Sequence, residues 1–383
     1  MAEKNILTEQ RMIDIIWGAT LMGGGGGGSI SSGMDLLNAY KRDHPGTELA
    51  VDLIKPGDMA EGTYAAATAG MGAPAAIVGV DFSKYAANAF TLLQEVAARY
   101  GKDLQYNIPV ELGGFSIFFP LLLSLITGFP TVDADGAGRA VPALETLLLH
   151  VNGCPTTPIA LANGVNDKIT VELADPHNAP LAEKIGRDIC GEFGNMVGIS
   201  GWLVNKEDIE KRIITGSITL CEKIGAIMRR ANCPAEQLFE MLVSEGLVQA
   251  KVVCVGEVTD IRVETHGGFD YGTLDVTDGT DSYRVNFQNE NLLLQKKTGT
   301  GYADLMTVPD LTCMYCVDPA GAAGVEPRMP LSNADVKKGM RIALGVIKVD
   351  PKWFLTDGTW WNVWKECFDH IGYTGGYLSY DNV

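Results

Sequence analysis

The sequence predicts an α/β N-terminal domain with a partly parallel sheet, followed by a C-terminal α+β domain containing an antiparallel β module. Three observations predict it. Over residues 1–165, short apolar runs alternate with segments of helical period, the pattern of parallel strands joined by crossover helices. From Lys251 the period drops to two, through Val252, Val253, Val255, Val258, Ile261 and Val263. Turn signals then follow in quick succession at His266-Gly-Gly, Asp278-Gly and Thr298-Gly-Thr-Gly. No long linker intervenes, so the boundary is placed between 1–168 and 169–383, with the two parts packed tightly together.

Residues 6–20 read as a first helix with Ile13, Ile16 and Trp17 on one face. Six glycines, Gly23–Gly28, break it. A second helix starts near Ser32 and carries Met34 and Leu37. Residues 47–54 form a strand, ended by Lys55-Pro-Gly-Asp58. Gly70-Met-Gly-Ala-Pro74 is a loop at the apolar run 75–80, and 82–100 is helical. Asn107–Val110 is a short strand that delivers Glu111, Gly114–Thr127 a buried helix, and Thr131–Val132 a strand that delivers Asp133. Residues 181–231 read as mainly helical, and the β module covers 250–350. Four of the six tryptophans, Trp353, Trp360, Trp361 and Trp364, close the chain, where their area would cover the β module or an oligomer interface.

Composition narrows the function classes. At 383 residues and 46% hydrophobic, the chain can bury two sizeable cores. A net charge of -17 argues against nucleic acid and anionic membrane as partners. The polar start Met1–Gln10 has no signal-peptide core, and the longest apolar run contains Pro120 and falls short of the ~20 residues of a membrane helix. A cytoplasmic protein is expected, forming a closed homo-oligomer on general grounds. Its eight scattered cysteines then read as reduced, buried thiols, and Cys313-Met-Tyr-Cys316 lacks the second pair of a zinc site.

The chemistry-bearing stretch is Glu111-Leu-Gly-Gly, running to Asp133-Ala-Asp135-Gly-Ala-Gly-Arg139, with nothing ionisable in Phe115–Pro130 between them. Carboxylates beside a buried element are costly unless paired, bound to metal or used chemically. Glu111 and Asp133 both follow strands, and in parallel sheets the ligand crevice lies beyond the strand C-termini. Glu111 suits general acid/base work, or else caps the next helix. Asp133 and Asp135 share one side of an extended segment and can hold a divalent cation or share a proton. Arg139 pairs with one of them, as a structural clamp, or with a substrate carboxylate. The histidines make no HxH, HExxH or HxxxH spacing, so a histidine-rich binuclear site is hard to build, and the metal ligands stay unassigned. A divalent metal such as zinc on the acidic residues remains open as a cofactor.

The glycine tract matches neither GxxxxGK[ST] nor GxGxxG, so no nucleotide is expected; the amides of Gly25, Gly26 and Gly27 are expected to line a pocket for a small polar substrate, against the alternative of plain turn chemistry. His266 lies in a turn that can project into a cleft, although an exposed turn histidine is the simpler reading. Phe287-Gln-Asn-Glu-Asn291 offers Asn289, Glu290 and Asn291 as donors and acceptors to a heterocycle with N–H and C=O edges, while it and Val308-Pro-Asp310 also read as strand-end turns. Cys313 has no marked base beside it, and no GxSxG occurs.

Taken together, Gly23–Gly28, Gly70-Met-Gly-Ala-Pro74, Glu111-Leu-Gly-Gly114 and Gly128-Phe-Pro-Thr-Val-Asp-Ala-Asp-Gly-Ala-Gly-Arg139-Ala-Val-Pro142 resemble the S-methyl-thiohydantoin desulfurase family, often called hydantoinase-like. Gly267-Gly-Phe, Phe287–Asn291 and Val308-Pro-Asp-Leu311 extend the resemblance over the whole chain. The chain departs from that pattern in the serines after Gly28, in His266 and in a longer segment at 318–325. The resemblance implies a hydrolase acting at a ring carbon flanked by two nitrogens, releasing methanethiol or sulfide in the breakdown of histidine-derived thiols such as ergothioneine.

The expected activity is therefore hydrolysis of a small five-membered cyclic amide or thioamide. Glu111 or Asp133 would activate water, a second carboxyl would protonate the leaving atom, and the loop amides with Asn289 or Asn291 would stabilise developing charge. Two alternatives are a non-catalytic partner subunit of an ATP-dependent hydantoinase or oxoprolinase-like assembly, and a nucleotide-binding enzyme using the glycine tract.

Overall fold

The computed structural model describes residues 4–72, 82–318 and 324–383. The apolar run expected at 75–80, residues 73–74 and most of the 318–325 segment lie outside the described residues, and Gly70–Gly72, expected as the start of a loop, are strand instead. The first strands are β1 (Ile6–Leu7), β2 (Val51–Ile54), β3 (Thr63–Gly72), β4 (Asp103–Pro109), β5 (Thr131–Val132), β6 (Ala134–Asp135), β7 (Ile159–Ala162), β8 (Lys168–Val171) and β9 (Met196–Val204). After β10 (Ile214–Thr215) come β11 (Ala250–His266), β12 (Phe269–Thr277), β13 (Ser282–Gln288), β14 (Glu290–Lys297), β15 (Tyr302–Thr307), β16 (Leu311–Cys316) and β17 (Arg341–Ile347). The helices are α1 (Glu9–Met22), α2 (Ile30–Asp43), α3 (Phe82–Arg99), α4 (Gly114–Thr127), α5 (Leu148–Val151), α6 (Ala179–Glu192), α7 (Lys206–Arg212), α8 (Ser217–Arg230), α9 (Leu238–Ser244), α10 (Thr359–Asn362) and α11 (Lys365–Ile371).

A mixed sheet organises the first part, in the order β1-β2-β5-β4-β3-β9-β7-β8. Strands β2, β5, β4 and β3 run parallel; β9, β7 and β8 add antiparallel to the β3 side, and β1 antiparallel to β2. The parallel set follows from its crossover helices, α3 between β3 and β4 and α4 between β4 and β5. Helix α4 covers the boundaries expected from sequence, because it starts at a glycine pair and ends at Gly128 in the left-handed conformation.

Strand β9 departs from the helical reading of 181–231. Every residue of Met-Val-Gly-Ile-Ser-Gly-Trp-Leu-Val is buried, and it sits between β3 and β7. A strand covered on both faces reads as a continuous apolar run without alternation. The N-terminal helix also begins later than its apolar pattern, at Glu9, because Ile6–Leu7 pair with β2.

The second part is one antiparallel sheet, β15-β14-β13-β12-β11-β17-β16, in which β14 also approaches β16, so the sheet curls into a half-barrel. Val258, Leu274, Val285 and Leu344 fill its inside. Its other face, with Leu293, Leu311, Tyr315 and Ile347, joins the core of the first part, which therefore runs unbroken across both. Helices α1 and α8 bind the parts further. Gly18 lies on Cys221 and Gly225 on Asp14, so the two backbones touch, and Asp14 accepts from Arg229 and Arg230. Trp353 and Trp364 are buried, with the Trp353 indole N–H donating to Ala137 O at 2.9 Å. Among the described residues no helix is long and apolar enough to cross a membrane.

Candidate functional site

A cleft of about 770 Å³ opens between the two parts, lined by the glycine loop, the ends of β3 and β4, the start of α2 and the Asn289–Glu290 turn. The glycine loop is its spine. Gly24 O and Gly25 O accept from Asn291 N (2.9 Å) and Asn333 N (2.8 Å) of the half-barrel. Gly27 O and Gly28 O accept from the first amides of α4: Gly114 N to Gly28, Phe115 N and Ser116 N to Gly27. The loop thus uses its carbonyls as the joint between sheet and half-barrel. Glycine is required at two places above all. A Cβ on Gly26 would land on Glu290 Oε1, and Gly27, at φ 68°, rests on the backbone of Leu112 and Gly113.

Of the carboxyl residues that line this cleft, Glu111 and Glu290 are the two pushed upward. Glu111 follows β4. Its Oε1 accepts from Ser116 Oγ at 2.8 Å and its Oε2 from Val141 N at 2.8 Å. It does not cap the backbone of α4, whose first amides the glycine loop already holds. Burial pushes the Glu111 carboxyl up to about 7, against the two hydrogen bonds that favour its charge. Glu290 opens β14, is 2% exposed, and leaves Oε2 without a partner among the described residues. Burial, and then the nearby Glu111 charge, push Glu290 well above the usual carboxylate range, while Arg139 and the Gly27 amide pull it back. Two carboxyls that repel one another at close quarters share protons as a unit.

The other residues expected at a site are placed as follows. Asp133 does not line the cleft: Oδ1 accepts from Ile218 N and Thr219 N and Oδ2 from Thr219 Oγ1, so it caps α8. Asp135 turns its Oδ2 to the amides of Ala137 and Gly138, also away from the lining; burial pushes it up to about 6. Arg139 is fully buried, and its donors go to the carbonyls of Ala140, Pro309, Asp310 and Asn291 rather than to any carboxylate. Burial lowers it to about 10. Asn291 is buried behind the loop, with Nδ2 on Thr312 O. Asn289 lines the cleft at φ 54° and exchanges hydrogen bonds with Asp270. His266 is exposed at the end of β11 and stacks on Tyr271 with centroids 4.2 Å apart, outside the lining. Cys313 is buried and pushed up to about 12 by burial.

Sequence reasoning did not single out three further wall residues. Arg187 of α6 ion-pairs with Glu183 at 2.6 Å and covers the Phe269 ring. Asn333 reaches the wall from a loop, and Trp202 from inside β9. Glu290 was visible only as one member of a polar run. Among the described residues no three His, Cys, Asp or Glu side chains gather as a metal-holding group.

Comparison with known proteins agrees with this architecture. A crystal structure of a protein from Chromobacterium violaceum superposes with a TM-score of 0.83 at 23% identity, over 98% of this chain and 100% of the other. At that identity the likeness is one of fold. No curated protein matches the sequence. The family model S-Me-THD-like, N-terminal domain, matches residues 10–173, and S-Me-THD-like, C-terminal domain, matches 177–360. The chain belongs to the S-Me-THD-like family.

Proposed function

We propose that this protein hydrolyses a five-membered cyclic amide or thioamide, as an S-methyl-thiohydantoin desulfurase or hydantoinase-like enzyme, using Glu111 and Glu290. The observation that carries the reading is the pair itself: two carboxyls, Glu290 buried and Glu111 half-buried, both pushed upward, on one cleft beside an amide-rich wall. A carboxyl poised near 7 is matched to general-base work at neutral pH, and one held higher stays protonated as an acid.

Glu111, ionised, takes a proton from water as the oxygen adds to the ring carbon between two nitrogens. That proton passes on to the ring nitrogen. Glu290, protonated, gives its proton to the leaving sulfur as the C–S bond breaks. The hydroxyl proton of the adduct returns to Glu290 as the carbonyl forms, and both carboxyls end as they began. With nitrogen as the leaving atom the same pair would open the ring. The Gly27 amide, which favours a charged Glu290, holds that carboxyl in place. The partner is thus a small heterocycle.

The test is incubation without ATP with the hydantoin, thiohydantoin and S-methyl-thiohydantoin propionates, following ring absorbance and released thiol. Thiol release that Glu111→Gln and Glu290→Gln both abolish supports the reading. Absence of turnover on all three rings overturns it.

A further inference from the structure

Strand β9 carries an irregularity where regular pairing would be simpler. On β3, Ala65 pairs with Val204 and Ala67 with Gly201, so between these pairs the single residue Ala66 of β3 faces two of β9, Trp202 and Leu203. The extra residue is a bulge, and bulges re-aim side chains, often beside active sites. Trp202 stands in it at φ 47°. The left-handed conformation favours glycine and is costly for a bulky side chain.

Trp202 is 1% exposed and lines the cleft, yet its indole N–H has no acceptor among the described residues. An indole buried in a protein normally finds a partner for that N–H, and a buried donor left unmade costs more than a typical bond contributes. Strain and an orphaned donor therefore coincide on one cleft residue. The cleft also holds the converse. Asn333 Nδ2 donates to Asn289 O and Asn291 Oδ1, which fixes the amide and leaves its Oδ1 without a donor among the described residues. Donor and acceptor both await a molecule having N–H and C=O edges.

We propose that Trp202 reads the heterocycle, its indole N–H donating to a ring carbonyl or thiocarbonyl, and that the β9 bulge exists to aim it there. This rests on the cyclic-amide reading of the cleft. Trp202 binds and orients; it takes no part in proton transfer.

The test uses the full chain labelled with ¹⁵N-tryptophan, whose six indole resonances report each tryptophan separately. Hydantoin itself is the probe, with calorimetry run alongside. The Trp202 resonance is assigned with Trp202→Phe or, if that variant does not fold, through contacts to its own backbone. Hydantoin is expected to move the Trp202 indole signal downfield. Trp202→Phe is expected to weaken hydantoin binding about five- to ten-fold, the scale of one neutral hydrogen bond. Binding that leaves the Trp202 signal in place, or that Trp202→Phe does not weaken, overturns the role of Trp202 and spares the cyclic-amide reading. Absence of any hydantoin binding by the wild type overturns both.

Discussion

Arg139 Nη2 donates to the backbone carbonyl of Asn291 over 3.1 Å, in the residue directly after Glu290. The same guanidinium holds the carbonyls of Pro309 and Asp310, so one side chain from the first part fixes the placement of two half-barrel turns. Arg139→Lys keeps the charge and loses the fork. It is expected to cost roughly 3 to 5 kcal/mol of stability, because a buried charge then lacks partners. A urea unfolding midpoint checks this; an unchanged midpoint would contradict the clasp.

Glu111 gives stability a definite pH dependence. Its carboxyl titrates near 4.5 when free and about 7 when folded. A raised folded value means that its stabilising contribution is complete below about 4.5 and lost as pH rises through 7. Between pH 5 and pH 8, wild type is expected to lose roughly 2 to 3 kcal/mol more than Glu111→Gln. Unfolding curves at both pH values give that difference directly, and equal losses would refute it.

Catalysis should show the opposite sign on its acid side. Activity is expected to rise as the pair releases its first proton near pH 7 and to fall as it releases the second at higher pH, giving a bell in kcat/KM. Glu290→Gln removes the falling limb and lowers the rate by about 10²- to 10⁴-fold. A wild-type profile flat from pH 5 to 9 would speak against the pair.

Gly26→Ala tests the glycine loop by volume alone, since no left-handed φ is required there. The new methyl meets the Glu290 carboxylate. A displacement near 1 Å in a catalytic group costs on the order of 10²-fold in rate. Gly191→Ala, on α6 with open space around it, serves as the matched change and is expected to raise stability slightly. Similar rates in the two variants would exclude the steric account.

Asp133→Asn separates capping from chemistry. Losing the charge at the start of α8 is expected to cost about 1 kcal/mol. The fall in kcat/KM should be far smaller than for Glu111→Gln. A thermal melt and one rate assay decide between them, and equal rate losses would return Asp133 to the chemistry.

Glu111 could be found from sequence because everything that marks it is local: a short strand, two glycines and an apolar helix behind. Asp133 and Asp135 carry the same local marks and differ only in partners some 80 residues away for Asp133, at the start of α8. Glu290 has the converse problem. Nothing around it in the chain announces burial, which comes from the glycine loop of the first part. The antiparallel module showed itself through alternation, which one-sided burial preserves. Strand β9 hid for the opposite reason, and Trp202 with it, because burial on both faces erases the period.

The central position of β9 has a consequence for synthesis. The ladder that β3 begins at Thr63–Gly72 closes only when Met196–Val204 has emerged between it and β7. At a synthesis rate of about 5–20 residues per second the nascent chain holds an unpaired β3 edge for on the order of ten seconds. Exposed edges of that kind invite pairing with other chains. The first family-model segment, 10–173, ends before β9, so that segment translated alone would stay in this vulnerable state and should be recovered as aggregate, whereas a chain extended past residue 204 can seal the edge.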